Sequence, residues 1–228
     1  MVEAFLVGAL AQSSLFLMGL LVYAVSVSSG VVGQLAGFGA GALLGAAAFD
    51  LVPEAQASLD NLEIGFWLLA GAMVFVVADR IIERRFGESG AMGIVVGNIN
   101  DALPESLIFG IQLGGGLALS LPFVASVWIS NIPQVMPPAA DLAASGWKMG
   151  RQAILWGAVV IVAGVCSALG FLIAEAVDDA TGARLAAFTI GGLVTMLTTS
   201  MIPFAFAKGG VPAGVWAVVG FGLTLAAA

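Results

Sequence analysis

Apolar runs long enough to cross a lipid bilayer recur along almost the whole chain. A hydrocarbon layer of ~30 Å takes about 20 helical residues. Eight stretches approach that length, at about 4–27, 31–52, 64–82, 91–113, 117–139, 151–175, 184–206 and 211–227. With 61% hydrophobic and 9% charged residues and a mean hydropathy of +1.10, there is too little polar surface for a water-soluble globule. The runs lack the sustained two-residue alternation of a membrane β-barrel. The start of the chain, with Glu3 and no basic residue, does not read as a cleaved leader. The expected fold is all-α, one polytopic domain over residues 1–228 with eight transmembrane helices, seated in the lipid bilayer of the plasma membrane.

The seven basic residues orient these spans. With the N-terminus outside, Arg80, Arg84 and Arg85 follow the third span, Lys148 and Arg151 the fifth, and Lys208 the seventh, all on the inner side. Only Arg184 faces out. This asymmetry is the positive-inside pattern, and it requires an even number of spans with both termini outside. The net charge of −7 comes from acids in the outer loops, among them Glu3, Glu54, Asp60, Glu63, Glu175, Asp178 and Asp179. It argues against a nucleic-acid partner. The one cysteine, Cys166, excludes a disulfide within the chain and any thiolate cluster.

Small residues crowd the spans, as in Gly33-Gln34-Leu35-Ala36-Gly37 and Gly41-Ala42-Leu43-Leu44-Gly45, a composition that lets helices pack backbone to backbone in lipid. A faint internal symmetry overlies it. The second span ends Phe49-Asp50-Leu51-Val52-Pro53-Glu54 and the seventh ends Thr199-Ser200-Met201-Ile202-Pro203-Phe204. Asp101-Ala102-Leu103-Pro104-Glu105 in the fourth echoes Ser130-Asn131-Ile132-Pro133-Gln134 in the fifth. Spans 1–3 thus correspond to 6–8 around a central pair, the 3+2+3 pattern of an inverted repeat, whose site lies at the repeat interface.

That central pair carries the chemistry. Asn98, Asp101, Glu105 and Gln112 recur at intervals of three, four and seven, which keeps them on one helix face over about 21 Å. Ser130 and Gln134 share a face of the next span, with Asn131 at its edge. An ionised acid near a bilayer centre costs about 2.5–3.5 kcal/mol on insertion scales. Two acids at i,i+4 also repel each other, and no Lys or Arg lies in any span centre to neutralise them. Pro104 and Pro133 cannot donate to the carbonyls of Asn100 and Ile129, and carbonyls freed at membrane depth are tolerated where they line a cavity or hold an ion. A bound cation or protonation of the acids would resolve the conflict. Mutual hydrogen bonding in a structural knot is the plainer use of the amides and serines.

These motifs resemble the ZIP (Zrt/Irt-like) divalent-metal transporters, whose fourth and fifth spans read His-Asn-x-Pro-Glu-Gly. Asp101-Ala102-Leu103-Pro104-Glu105-Ser106 and Ser130-Asn131-Ile132-Pro133-Gln134-Val135 take those places, and Phe49 to Glu54 resembles the family's second-span ending. The resemblance implies a ZIP-like fold, a metal site of Asp101, Glu105, Ser130, Asn131 and Gln134, and a homodimer. Asp50 and Glu54 would form an entry site, Asn98 would line the inner exit and Gln112 the outer half. The transported ion would be Zn²⁺, Mn²⁺, Fe²⁺, Co²⁺ or Mg²⁺, with no permanently bound cofactor. Both family histidines are replaced, by Asp101 and Ser130, and Thr199, Ser200 and Phe204 stand at the family's seventh-span acidic positions. An all-oxygen site follows, which suits harder ions than zinc.

The expected function is therefore divalent-cation transport through a site between spans 4 and 5. The alternatives are a proton-coupled carrier or channel for a non-metal substrate, and a non-transporting structural or regulatory relative. An intramembrane enzyme fits least, since the chain has no histidine for a zinc hydrolase and Lys208 sits at the inner boundary and not mid-helix. With no phosphate-cradling Gly-Lys-Ser/Thr loop, transport would run down an ion or voltage gradient without hydrolysis.

Overall fold

The computed structural model describes residues 1–86 and 91–228, and side chains outside 86–95. The connection between the third and fourth expected spans, residues 87–90, lies outside the described residues. Helices account for nearly everything else: α1 (Val2–Leu21), α2 (Ser29–Ala46), α3 (Val52–Gln56), α4 (Asn61–Phe86), α5 (Ala91–Gly114), α6 (Leu121–Ala144), α7 (Met149–Glu175), α8 (Asp179–Met196), α9 (Ile202–Gly209) and α10 (Val211–Ala227). One π-helical turn, Ala47–Leu51, joins α2 to α3, and another, Leu197–Met201, joins α8 to α9. The ten segments therefore make eight rods among the described residues.

The rods begin and end where local chemistry dictates, and in two places this moves the expected boundaries. The first rod stops at Leu21 rather than near residue 27, because Ser28 caps the next helix by accepting from the Val31 N–H at 3.4 Å. The fifth begins at Leu121 rather than 117, after Gly116 turns with φ +70° and Ser120 caps Phe123 at 3.1 Å. It also runs on to Ala144, through Pro137 and Pro138. Neither π turn was anticipated, although each directly precedes one of the matched prolines, Pro53 and Pro203.

Among the described residues, five stretches are long and apolar enough to cross a membrane: Val2–Leu21, Ser29–Gln56, Asn61–Arg85, Met149–Glu175 and Asp179–Gly209. α10 is apolar but shorter. α5 and α6, at 24 residues each, carry the acids, amides and internal prolines. Large apolar side chains cover the outside of α4, including Leu62, Phe66, Leu69, Met73, Val74 and Val77, a surface suited to lipid rather than water. The chain is a helical integral membrane protein.

Close backbone contacts set the helix pairs. A Cβ on Gly41 would strike the Ala217 carbonyl, and one on Gly220 the Phe38 carbonyl, so α2 and α10 touch main chain to main chain. Gly71 and Gly191 do the same for α4 and α8, against Phe188 and Leu68. α7 packs on both α1 and α5, α6 lies across α1 and α2, and α5 reaches α8. A core of Leu43, Leu51, Ile108, Phe109, Phe123, Leu193 and Leu197 occupies the middle.

Candidate functional site in the membrane interior

Polar groups of α5 meet three different environments along its length. At one end, Asn98 and the half-buried Asp101 line a cavity of about 350 Å³, closed by Pro133, Gln134, Pro137 and Pro138 of α6, Ala36 of α2, and Ser200, Met201 and Phe204. A second cavity of about 270 Å³ shares Pro137 and Phe204 with it and extends to Lys208. Pro137 and Phe204 thus stand between the Asp101 cavity and the one that reaches Lys208. Asn98 Nδ2 donates to the Gln134 carbonyl at 3.3 Å, and Gln134 Nε2 lies 3.9 Å from the Met201 sulfur.

One turn further along, Glu105 is 1% exposed and lies outside that cavity. Its Oε2 accepts from Gln12 Nε2 of α1 at 2.7 Å, while Oε1 is buried without a partner. Gln12 Oε1 in turn accepts from Asn131 Nδ2 of α6 at 2.7 Å. The chain Glu105–Gln12–Asn131 ties α5, α1 and α6 together. Ser130, fully buried, donates instead to the Val127 carbonyl of its own helix at 2.9 Å.

At the opposite end, Gln112 Nε2 donates to Glu54 Oε2 at 2.9 Å and Ser120 Oγ donates to Asp50 Oδ2 at 2.5 Å. Glu54 and Gln112 border a cavity of about 170 Å³ with Asp178 and Asp179 at its rim. Ile108, Leu51 and Ile190 form its apolar wall, and these side chains belong to the central core. Between this cavity and the one at Asp101 lies the level of Glu105.

Eight of the nine residues singled out from sequence thus fall into three groups. Asn98, Asp101 and Gln134 share a cavity; Glu105 and Asn131 are joined indirectly through Gln12; Asp50, Glu54 and Gln112 gather at the far end. Ser130 bonds to none of the others. Among the described residues no three His, Cys, Asp or Glu side chains converge. Sequence reasoning overlooked Gln12 and Ser120. Gln12 was visible as part of Gln12-Ser13-Ser14, a polar interruption of the first apolar run, but nothing in one sequence tells which helix it faces. No protein-family model matches the chain, and no curated protein matches it.

Proposed function

We propose that the chain is a divalent-cation transporter of ZIP-like, inverted-repeat architecture, crossing the plasma membrane eight times with both termini outside. The observation that carries this reading is Asp101: a half-buried carboxylate on the wall of a cavity it shares with Asn98 and Gln134, with no basic residue on α5, α6, α1 or α2 to pair with it. An acid so placed has a use for a mobile cation.

The packing supports the repeat. Exchanging α1 with α7, α2–α3 with α8–α9, α4 with α10 and α5 with α6 maps the main helix contacts onto one another: α2 on α10 onto α8 on α4, α5 on α7 onto α6 on α1, and α2 on α6 onto α8 on α5. The two π turns fall at equivalent places in the exchange, and such turns concentrate at functional sites. The charge asymmetry of the loops agrees with it.

In this reading the ion enters by the cavity bordered by Glu54 and Gln112, moves past Glu105 and reaches the Asp101 cavity, where Asn98 and Gln134 offer oxygen donors. The Lys208 end is the inner end. Oxygen donors and two carboxylates favour Mn²⁺ or Mg²⁺ over Zn²⁺. Transport follows an ion or voltage gradient by alternating access around the central level. A proton-coupled carrier that uses the two acids as relays is the second reading, favoured by the absence of any three-ligand cluster of His, Cys, Asp or Glu among the described residues.

Flux into proteoliposomes tests both. Wild type, Asp101→Ala and Glu105→Ala are compared with Zn²⁺, Mn²⁺, Fe²⁺, Co²⁺ and Mg²⁺, with internal pH recorded in parallel. Cation uptake lost in Asp101→Ala is the expected result. Uptake unchanged in both variants removes the site, and proton flux without metal uptake selects the second reading.

A further inference from the structure

The Glu105–Gln12–Asn131 chain has an unusual economy. Gln12 is 0% exposed and uses both ends of its amide, the nitrogen toward Glu105 and the oxygen toward Asn131, each at 2.7 Å. Glu105 keeps one oxygen buried and unpartnered. A carboxylate supported by a single neutral N–H in a dry interior is under-satisfied, which costs more than an apolar residue there would. A cation or a proton would satisfy it.

A primary amide differs from other hydrogen-bonding groups in that rotation by half a turn exchanges donor for acceptor. Gln12 turned in this way points its carbonyl oxygen toward Glu105 Oε2, and two facing oxygens are reconciled only by a cation or a proton between them. Its NH₂ group then faces Asn131, whose own amide can present an oxygen by the same rotation. The Gln12–Asn131 bond is kept with its polarity reversed, and an oxygen replaces a proton donor on the side of the carboxylate.

We propose that Gln12 is a ligand of the transported cation, an amide that donates to Glu105 when the central level is empty and turns its carbonyl oxygen to the ion when it is filled. This rests on the reading of Glu105 as a residue on the cation path. Glu105 and Gln12 then supply a carboxylate and an amide oxygen from two helices, a donor pair suited to a hard divalent cation. The first helix, which carries no acid beyond Glu3, becomes part of the site and not only its scaffold.

Mn²⁺ binding to the purified full chain in detergent, read from loss of the free-ion paramagnetic resonance signal, tests this. Wild type is compared with Gln12→Met, which keeps length and loses the oxygen, with Gln12→Glu, which replaces the amide by a second carboxylate, and with Glu105→Gln. The expected affinity falls about tenfold or more in Gln12→Met and rises about tenfold in Gln12→Glu. Infrared difference spectra with glutamine labelled at its side-chain carbonyl, compared between wild type and each Gln12 variant, are expected to lose one ion-induced component in both variants while the contribution of the other glutamines stays, a signature that a purely structural Gln12 does not give. If Gln12→Met fails to fold, Gln12→Glu carries the test. Binding abolished by Glu105→Gln but unchanged in both Gln12 variants, with the labelled band unmoved, overturns the role of Gln12 alone. No Mn²⁺ binding in wild type, or wild-type affinity in Glu105→Gln, overturns the cation-path reading and this inference with it.

Discussion

Asn98 of α5 donates its side-chain amide at 3.3 Å to the backbone carbonyl of Gln134 in α6, the carbonyl that Pro138 leaves without its helical donor. The side chain of one central helix thus repairs a break in the other, at the rim of the Asp101 cavity. This explains how α6 continues through two consecutive prolines: one of the lost ladder bonds is replaced from outside the helix.

Removing the donor is therefore expected to destabilise α6. At 3.3 Å the bond is long, so Asn98→Leu is expected to cost about 1 kcal/mol, near the low end for an orphaned polar group. Pro138→Ala restores an N–H that can donate to the Gln134 carbonyl. In a double-mutant cycle on detergent-solubilised protein, Asn98→Leu is expected to cost less in the Pro138→Ala background than in wild type. Equal costs in both backgrounds contradict the shared carbonyl.

The far end of the molecule is held by two bonds, Glu54 with Gln112 and Asp50 with Ser120, both from the α2–α3 rod to the central pair and its connection. Each has a carboxylate acceptor, worth about 1.5–3 kcal/mol. Gln112→Ala combined with Ser120→Ala is expected to open this end. A cysteine placed at Ile108, 1% exposed in the closed wall, reports it in a Cys166→Ala background. Labelling by a membrane-impermeant maleimide is expected to rise at least about tenfold, the effect of ~1.4 kcal/mol on an opening equilibrium. An unchanged rate means that the core alone keeps the end shut.

Much of this molecule could be read from its residues. The apolar runs fixed the rods because a chain with so few charges has no other way to hide its backbone in lipid. The paired Pro53 and Pro203 pointed to matching breaks, yet their form, a π turn before each, depends on one extra residue that the pattern does not count. The polar face of α5 was also legible, but its division was not. Asn98, Asp101, Glu105 and Gln112 share a face only on an ideal cylinder, and their partners come from α6, α1 and α3 respectively where bonded. Helix periodicity gives direction within one rod; it does not say which neighbour stands there. That is why Gln12, polar among apolar residues on α1, went unassigned.

Packing at the small-residue seams leads to a sharper contrast between glycines. A Cβ on Gly41 meets the main chain at Ala217, whereas one on Gly222 meets nothing within 4 Å. Gly41→Ala is expected to lower stability by about 1–3 kcal/mol through overpacking that backbone cannot relieve. Gly222→Ala, on the open face of α10, is expected to be neutral or mildly stabilising, because alanine loses less entropy in a helix. Thermal unfolding of the two single variants, monitored by the intrinsic tryptophan signal, distinguishes them.

Outside the membrane, Asp178 caps α8 by accepting from the Thr181 N–H at 2.8 Å, and that bond holds its carboxyl below the usual aspartate range. A carboxyl whose folded value is depressed contributes stability above its unfolded pKa and loses it as pH falls through the lower folded value. The cap's contribution is therefore constant near neutrality and disappears only in strong acid. Asp178→Asn keeps an acceptor for the N–H and is expected to flatten this acid-side loss, whereas Asp178→Ala removes the cap at every pH. A pH series of unfolding midpoints for the three proteins checks the sign.

Asp101 and Glu105 are one turn apart yet differ in access, the first on the wall of a cavity adjoining the one that Lys208 lines and the second outside any such cavity at 1% exposure. Cysteine substitution at each position, again with Cys166 replaced, converts this into a rate. In inside-out and right-side-out vesicles, Asp101→Cys is expected to react with a small charged thiosulfonate from the Lys208 side and not from the Glu54 side, because the core around Leu51 and Ile108 intervenes. Glu105→Cys is expected to react at least about tenfold more slowly from either side, since the thiolate form that reacts needs both water and room. Equal labelling of the two positions from both sides contradicts a cavity open at one end only, and with it the assignment of that end as the one through which ions leave.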